Sequence, residues 1–414
     1  MNYDLIVIGG GPAGLMAAGR AGELGARVLL LEKNNQPGLK LLLTGNQRCN
    51  LTNAVNVRAL VKAFGNNGKF LFSALTKFDS SDTIKFFTSR GVPLKTETAN
   101  RVFPVSNKAN DVLRVMLDYL RKSSVKVITR ATVKKIIKQK NLITKIVLTD
   151  GQEFSANNYL IATGGLAYPI TGSTGDGYTW LAKLGHTITK TYPALTPIIV
   201  KDKIVKQLEG TSLTEVNFTW LKNNKVIASQ HGEAIFTAQG LSGPAIFDAS
   251  GEVARALPHV ALNLDFLPQE TSASLDLRLR TIFSENKNKQ IKNVLANLLT
   301  PKLVLTLLTK AQIKPETEVN QITKTNRQTL SHLIKNFSLE VTKVEDYTKA
   351  MLTTGGVALN EVDPKTLRSK IIPNLLLAGE ILDLAGPTGG FNLQACWSTG
   401  HLAGENALTI TNQN

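Results

Sequence analysis

Cysteine, aromatic residues, acid and long hydrophobic runs are all scarce in this chain. Cys49 and Cys396 are its two cysteines among 414 residues, too few for a disulfide framework, so a reducing, cytoplasmic setting is expected. No stretch of about eighteen uncharged apolar residues occurs, so no spanning helix and no membrane partner are expected. The five histidines, His186, His231, His259, His332 and His401, show no HxxxH-like spacing, and no metal is expected. Acid is outnumbered, 31 residues against 48 Lys and Arg, for a net charge of +17. Such a balance can attract nucleic acid, anionic lipid or an acidic substrate. Yet the lysines are scattered through amphipathic segments, such as Lys134, Lys135, Lys138 and Lys140, or Lys287, Lys289 and Lys292, without interleaved aromatics. A solvated face is the ordinary reading, which ranks a nucleic-acid partner behind a small-molecule substrate.

The length predicts two or three domains, and 43% hydrophobic content is enough for a sizeable core. The chain opens on a complete unit: the apolar run Tyr3 to Ile8, the turn Gly9-Gly10-Gly11-Pro12-Ala13-Gly14, a small-residue helix pattern from Leu15 to Leu24, then the run Val28 to Leu31 ending on Glu32 and Lys33. GxGxxG between strand and helix is a dinucleotide fingerprint. Gly9 makes the tight turn, Gly11 lets the backbone approach a pyrophosphate, and Gly14 lets helix and strand pack closely. The pyrophosphate would sit on free N–H groups at the helix start. Glu32, 18 residues past Gly14, can accept from ribose hydroxyls and argues against a 2′-phosphate. No basic residue precedes the first apolar run, so a secretory leader is not expected.

The polar loop Thr44 to Asn50 follows, placed to wrap a cofactor. Cys49 beside Arg48 invites a low-pKa thiol reading, but no CxxC partner is near and a packing residue is favoured. Helices are predicted over 58–91 and 111–122, a strand over 126–128 and a hairpin over 131–149 turning at Asn141. Strand Tyr159 to Ala162 ends in Thr163-Gly164-Gly165, where a sheet meets a cofactor. Tyr168 to Tyr178 reads as a glycine-rich loop; its spacing is wrong for a second GxGxxG, so no second dinucleotide fold is expected. From about Thr191 short alternating strands predict a small antiparallel sheet or barrel, and helical patterns follow. An inserted unit over 191–350 is expected, β-rich over 191–267 and mainly helical over 268–350. It divides a discontinuous first domain, 1–190 and 351–414. Strand Asn374 to Ala378, terminated by Gly379-Glu380, and a small-residue helix after Gly389-Gly390 return to the opening theme. A carboxylate after a strand, then a helix start, can contact ribitol hydroxyls and aim amides at a flavin ring, which favours FAD over NAD.

The chain resembles the aminoacetone-oxidase-like flavoproteins, relatives of the bile-acid-reducing flavoproteins of gut bacteria. The residues that carry the resemblance are GGGPAG at Gly9 to Gly14, the segment Thr44 to Asn53, FPVSNKANDV from Phe103, YPITGSTGDGY from Tyr168, FTAQGLSGPA from Phe236 and GEILDLAGPTGGFNLQ from Gly379. Gln47, Ala238 and Ala385 depart from the pattern. The resemblance implies an α/β fold: a glutathione-reductase-type, Rossmann-like FAD domain interrupted by a β-barrel-like plus helical substrate domain. It places Gly9 to Gly14, with Gly11, Pro12 and Ala13, and Glu32 at the ADP half. Lys40, Arg48, Cys49 and Asn50 would lie along the cofactor, Thr163, Gly164 and Glu380 near its middle, and Gly389, Gly390, Phe391 and Asn392 at the isoalloxazine end. Val133 would lie at adenine.

The expected activity is an FAD-dependent oxidoreductase that moves hydride between a small organic substrate, such as an aminoketone, and flavin, with oxygen or another acceptor. Two alternatives stand beside it: reduction of an enone-like substrate with NAD(P)H as transient reductant, and an RNA-associated flavoprotein. No catalytic residue is assigned.

Overall fold

Leu5 and Val7 point to one side of the first strand and Ile6 and Ile8 to the other, and all four are buried. Such a strand belongs inside a sheet covered on both faces. The computed structural model describes residues 3–408. They form two compact units, one holding the described residues up to Tyr192 and from Met351 onward, the other Pro193–Ala350.

In the first unit β1 (Tyr3–Ile8) runs into α1 (Pro12–Glu23) and β2 (Val28–Leu31). Later come α2 (Ala109–Lys122), β3 (Lys126–Ile128), the meander β4 (Val133–Gln139), β5 (Leu142–Leu148) and β6 (Glu153–Phe154), then β7 (Ala156–Ile161) and α3 (Asp176–Leu184). After the second unit the chain returns as β8 (Leu375–Leu377) and α4 (Phe391–Asn406). Five strands form a sheet in the order β8-β7-β1-β2-β3, parallel throughout. Leu5 and Val7 pack with Leu15 and Met16 of α1, Met116 of α2 and Trp397 of α4. Ile6, Ile8 and Ile161 pack with Ile143 and Ile146 of the meander and Leu181 of α3. Each such aliphatic side chain contributes roughly 1.5–3 kcal/mol by leaving water, which fixes the strand ends that carry the site. Chain connection leaves β1 towards β2 on one side, while β7 lies on the other. The topological switch point therefore falls between β1 and β7, where open α/β sheets bind ligands at their carboxyl ends.

The second unit is built on a closed barrel of six strands: Ile198–Val200, Gly240–Ser242, Lys225–Thr237, Ser212–Lys222, Val260–Asp265 and Phe337–Val344, in that order around it. Phe218, Trp220, Phe236, Leu262 and Phe337 are among the residues of its core. Among the expected short strands one is long, Lys225–Thr237, its register shifted near Gly232. The stretch expected to be β-rich also holds the helix Pro244–Ala256, which starts after Gly243 with proline at the first position, where a missing N–H is harmless. The stretch 268–350 is helical as far as Lys335, then adds the strand Phe337–Val344 that closes the barrel. Among the described residues no helix is long and apolar enough to cross a membrane.

Candidate functional site

The turn after β1 is shaped by backbone contact. Gly9 has φ +103°, and a Cβ there would meet the Ala162 carbonyl oxygen at 2.6 Å. A Cβ on Gly14 would lie 1.9 Å from the Gly9 oxygen. Both glycines let α1 and the ends of β1 and β7 close on one another. Gly11 differs: a Cβ there would meet nothing within 4 Å, because its side faces open space. Gly11 and Pro12 begin α1 without a side-chain cap, leaving N–H groups free at the positive helix end.

Glu32, nearly buried at the tip of β2, receives the Gly10 N–H on Oε2 at 2.8 Å and the Asn34 N–H and Nδ2 on Oε1, each at 2.8 Å. These bonds orient the carboxylate along the wall of a cleft, and its remaining lone pairs can accept ribose hydroxyls. Lys33 bonds Thr174 Oγ1 at 2.5 Å and Asp176 Oδ2 at 2.7 Å. Val133, Ala131 and Trp180 make the apolar end of the cleft, and Thr163 and Gly164 its floor beyond β7. The Thr163 hydroxyl is buried with no partner in the protein.

Farther along, Lys40 Nζ and Glu380 Oε2 form an ion pair at 2.6 Å, and Glu380 Oε1 accepts from the Thr353 N–H at 2.9 Å. Both residues, with Pro12, Gly379 and Cys396, belong also to a second cavity whose wall is mainly apolar, with Leu41, Leu352, Leu384 and Leu393. The Cys396 thiol is pushed up to about 12 by burial, reinforced by the Glu380 charge, and stays protonated. Asn392 lines this second cavity while its amide clasps the backbone of Gly386 and Pro387.

Arg48, Cys49, Asn50, Gly389, Gly390 and Phe391 do not line these two cavities. Arg48 pairs with Glu97 at 2.6 Å and stacks on Phe103. Cys49 is wholly buried, and burial pushes its thiol up to about 12, so it is a packing residue. Gly390 starts α4 against the Thr52 carbonyl, and the Asn53 amide holds the Gly389 oxygen at 3.0 Å. Asp176, Ser173 and Trp180 line the cleft but were not anticipated; Gly175 and Asp176, an αL cap followed by an acid, are the helix start that could have announced them.

The residues fit an adenine dinucleotide. A glycine whose Cβ direction is open, a helix start without a cap, an oriented carboxylate and an unpartnered buried hydroxyl all border one elongated space. Glu32, the backbone of Gly9 to Ala13, Lys33, Val133 and Thr163 could hold the adenosine and pyrophosphate end, and Lys40, Gly379 and Glu380 the part nearer the apolar cavity.

Residues 3–406 match the family model described as the HI0933-like protein Rossmann domain. The chain is 31% identical over 408 residues to a 3-dehydro-bile acid delta(4,6)-reductase of Clostridium scindens, covering 97% of this chain and 98% of that protein. It is 29% identical over 403 residues to a ribosomal RNA dihydrouridine synthase of Escherichia coli, covering 96% of each. The structure of a 3-ketosteroid-delta4-(5alpha)-dehydrogenase from Rhodococcus jostii shares the fold, with a TM-score of 0.52 at 15% identity over 99% of this chain and 97% of that one. The chain belongs to the HI0933-like family. It is an FAD-dependent oxidoreductase with an α/β domain of Rossmann type and an inserted barrel.

Proposed function

We propose that the protein is a reductase that saturates a carbon–carbon double bond conjugated to a carbonyl. Two relatives that match nearly the whole chain support the direction, for one is named for reducing a bile acid and the other for making dihydrouridine. A dienone and a uracil ring are chemically alike at the reacting bond: in both, a carbonyl conjugated to C=C makes the far carbon a hydride acceptor.

The observation that carries the reading is the second cavity. Its titratable side chains are Lys40, Glu380 and Cys396. The first two satisfy one another and the thiol stays protonated, so no free base stands ready to take a proton from a C–H beside a carbonyl. Reduction needs none. Bound FAD supplies the two-electron chemistry; the acceptor gains hydride at its β-carbon and a solvent-derived proton at its α-carbon, and NAD(P)H or a similar donor restores the electrons. The chain's part is to orient the flavin through Glu32 and the Gly9 to Ala13 turn, and to offer Leu41, Leu352, Leu384 and Leu393 as a dry wall for a planar acceptor. Among such acceptors the net charge of +17 favours a base carried on a polyanion. Anaerobic mixing tests the direction: NADPH is expected to bleach the visible flavin band, while aminoacetone leaves it unchanged; bleaching by the amine alone would instead support oxidation.

A further inference from the structure

Charge is not shared evenly. Residues 1–192 and 351–414 hold 29 Lys and Arg against 16 acidic residues, a net of +13, while 193–350 hold 19 against 15, a net of +4. Within the first unit the imbalance is local. Between Asp118 and Asp150 there are nine Lys or Arg and no acid. This stretch is the end of α2, the sheet-edge strand β3 and the hairpin β4–β5. Lys126, Arg130, Lys134, Lys135, Lys140 and, on the last turn of α3, Lys183 are all exposed. None of the six forms an ion pair among the described residues. Elsewhere some lysines are matched, as Lys201 is with Glu340 and Lys292 with Glu316.

Arg130, Lys134, Lys135 and Lys140 follow one another along the chain from the end of β3 into the hairpin turn. The Arg130 N–H bonds the Asn34 carbonyl at 2.8 Å, and Asn34 and Val133 line the cofactor cleft, so the ridge begins at the rim of that cleft. It follows β4, about 20 Å long at the usual rise of a strand, to Lys140 in the hairpin turn. Lys138 donates to the Leu184 carbonyl at 3.3 Å, which seats Lys183 beside it. A merely solvated face intersperses the two signs, because clustered like charges repel. A row of unpaired cations with no acid among them is instead what releases counterions from a phosphate backbone.

We propose that this ridge, β3 with the hairpin β4–β5 and the end of α3, is the docking surface for RNA, holding the sugar-phosphate chain while one base is presented to the reductase site. The proposal rests on the reductase reading for its purpose and on the surface alone for its geometry. Contacts of this kind position the nucleic acid and do not read its sequence.

Binding of deproteinised Escherichia coli ribosomal RNA to the full-length, FAD-loaded protein tests it. The triple variant Lys126→Glu, Lys135→Glu, Lys140→Glu is compared with Lys287→Glu, Lys289→Glu, Lys314→Glu in the second unit, an equal change in net charge. The ridge variant is expected to bind at least about tenfold more weakly near physiological salt, with the slope of log affinity against log salt reduced by about 2–3. The second-unit variant is expected to stay within about twofold of the parent. Lys126→Gln, Lys135→Gln, Lys140→Gln should fall between parent and reversal, and an unchanged flavin spectrum establishes that each variant is folded. Equal losses in both reversal variants, or a ridge variant that binds like the parent, would overturn the assignment of the surface. A parent that ignores RNA, or prefers phosphatidylserine vesicles to it, would overturn RNA as the partner. Reoxidation of the reduced flavin by cyclohexenone, measured on the same samples without RNA, reports separately on the reductase reading.

Discussion

Lys40 and Glu380, 340 positions apart in the chain, meet at 2.6 Å where the two cavities join, and both are mostly buried. Removing either partner leaves a charge in a place water barely reaches. Lys40→Met should therefore lower stability by about 1–3 kcal/mol and loosen flavin, read by thermal unfolding and by flavin released on dilution. The double variant Lys40→Met, Glu380→Gln should recover part of the loss. Strictly additive losses would mean that the pair does not act as a unit.

Gly11→Ala and Gly14→Ala should fail in different ways. The added methyl at Gly14 runs into the Gly9 oxygen, so the apoprotein itself should unfold early or not accumulate. The methyl at Gly11 meets no protein atom and its φ of −77° suits alanine. Its apoprotein should melt within about 1 kcal/mol of the parent, yet bind FAD at least about tenfold more weakly, since the backbone approach to the pyrophosphate is blocked. Calorimetry on flavin-stripped protein, followed by titration with FAD, separates the two.

Cys49 should be chemically silent. With its thiol buried and pushed up to about 12, it forms little thiolate, the reactive species. Iodoacetamide at mildly alkaline pH should leave Cys49 unmodified in the folded protein and alkylate it after unfolding, as peptide mass analysis would show. Rapid labelling of the native protein would reverse the packing assignment.

His186 sets an acid limit on stability. Ser369 Oγ accepts the N–H groups of Ile371 and Ile372, so its proton points to His186 Nε2 at 2.9 Å, while Nδ1 faces Glu361 at 3.1 Å. Burial lowers the His186 pKa despite the Glu361 carboxylate. The folded state then binds fewer protons than the unfolded one. Its contribution is full above about pH 6.5, the unfolded value, and is lost as pH falls from there through the lowered folded pKa. Burial lowers His401 in the same sense. Urea midpoints should fall between pH 7 and 5, and less steeply in His186→Gln; parallel slopes would remove His186 as the cause.

Much of the fold was legible because local signals agreed. The run Tyr3 to Ile8, the glycine turn and Glu32 are contiguous, and periodicity gave the meander and the helices around it. The strand Phe337–Val344 carried a period of two, with Phe337, Leu339 and Val341 buried, but it directly follows a helix and was absorbed into a helical stretch. Arg48 shows a different limit: its partners Glu97 and Phe103 lie about fifty residues away, and no local pattern foretells which distant acid an arginine will meet. Asp176 lies in a segment that reads as a glycine-rich loop, although Gly175 forms the αL cap that starts α3.

The decisive measurement is the reoxidation of anaerobically reduced, FAD-loaded protein, followed in the visible band, with cyclohexenone on one side and air on the other. Return of colour with the enone, in step with appearance of cyclohexanone and faster than with air, is the result expected of a reductase of conjugated double bonds. Prompt reoxidation by air with peroxide release, and none by the enone, would contradict it.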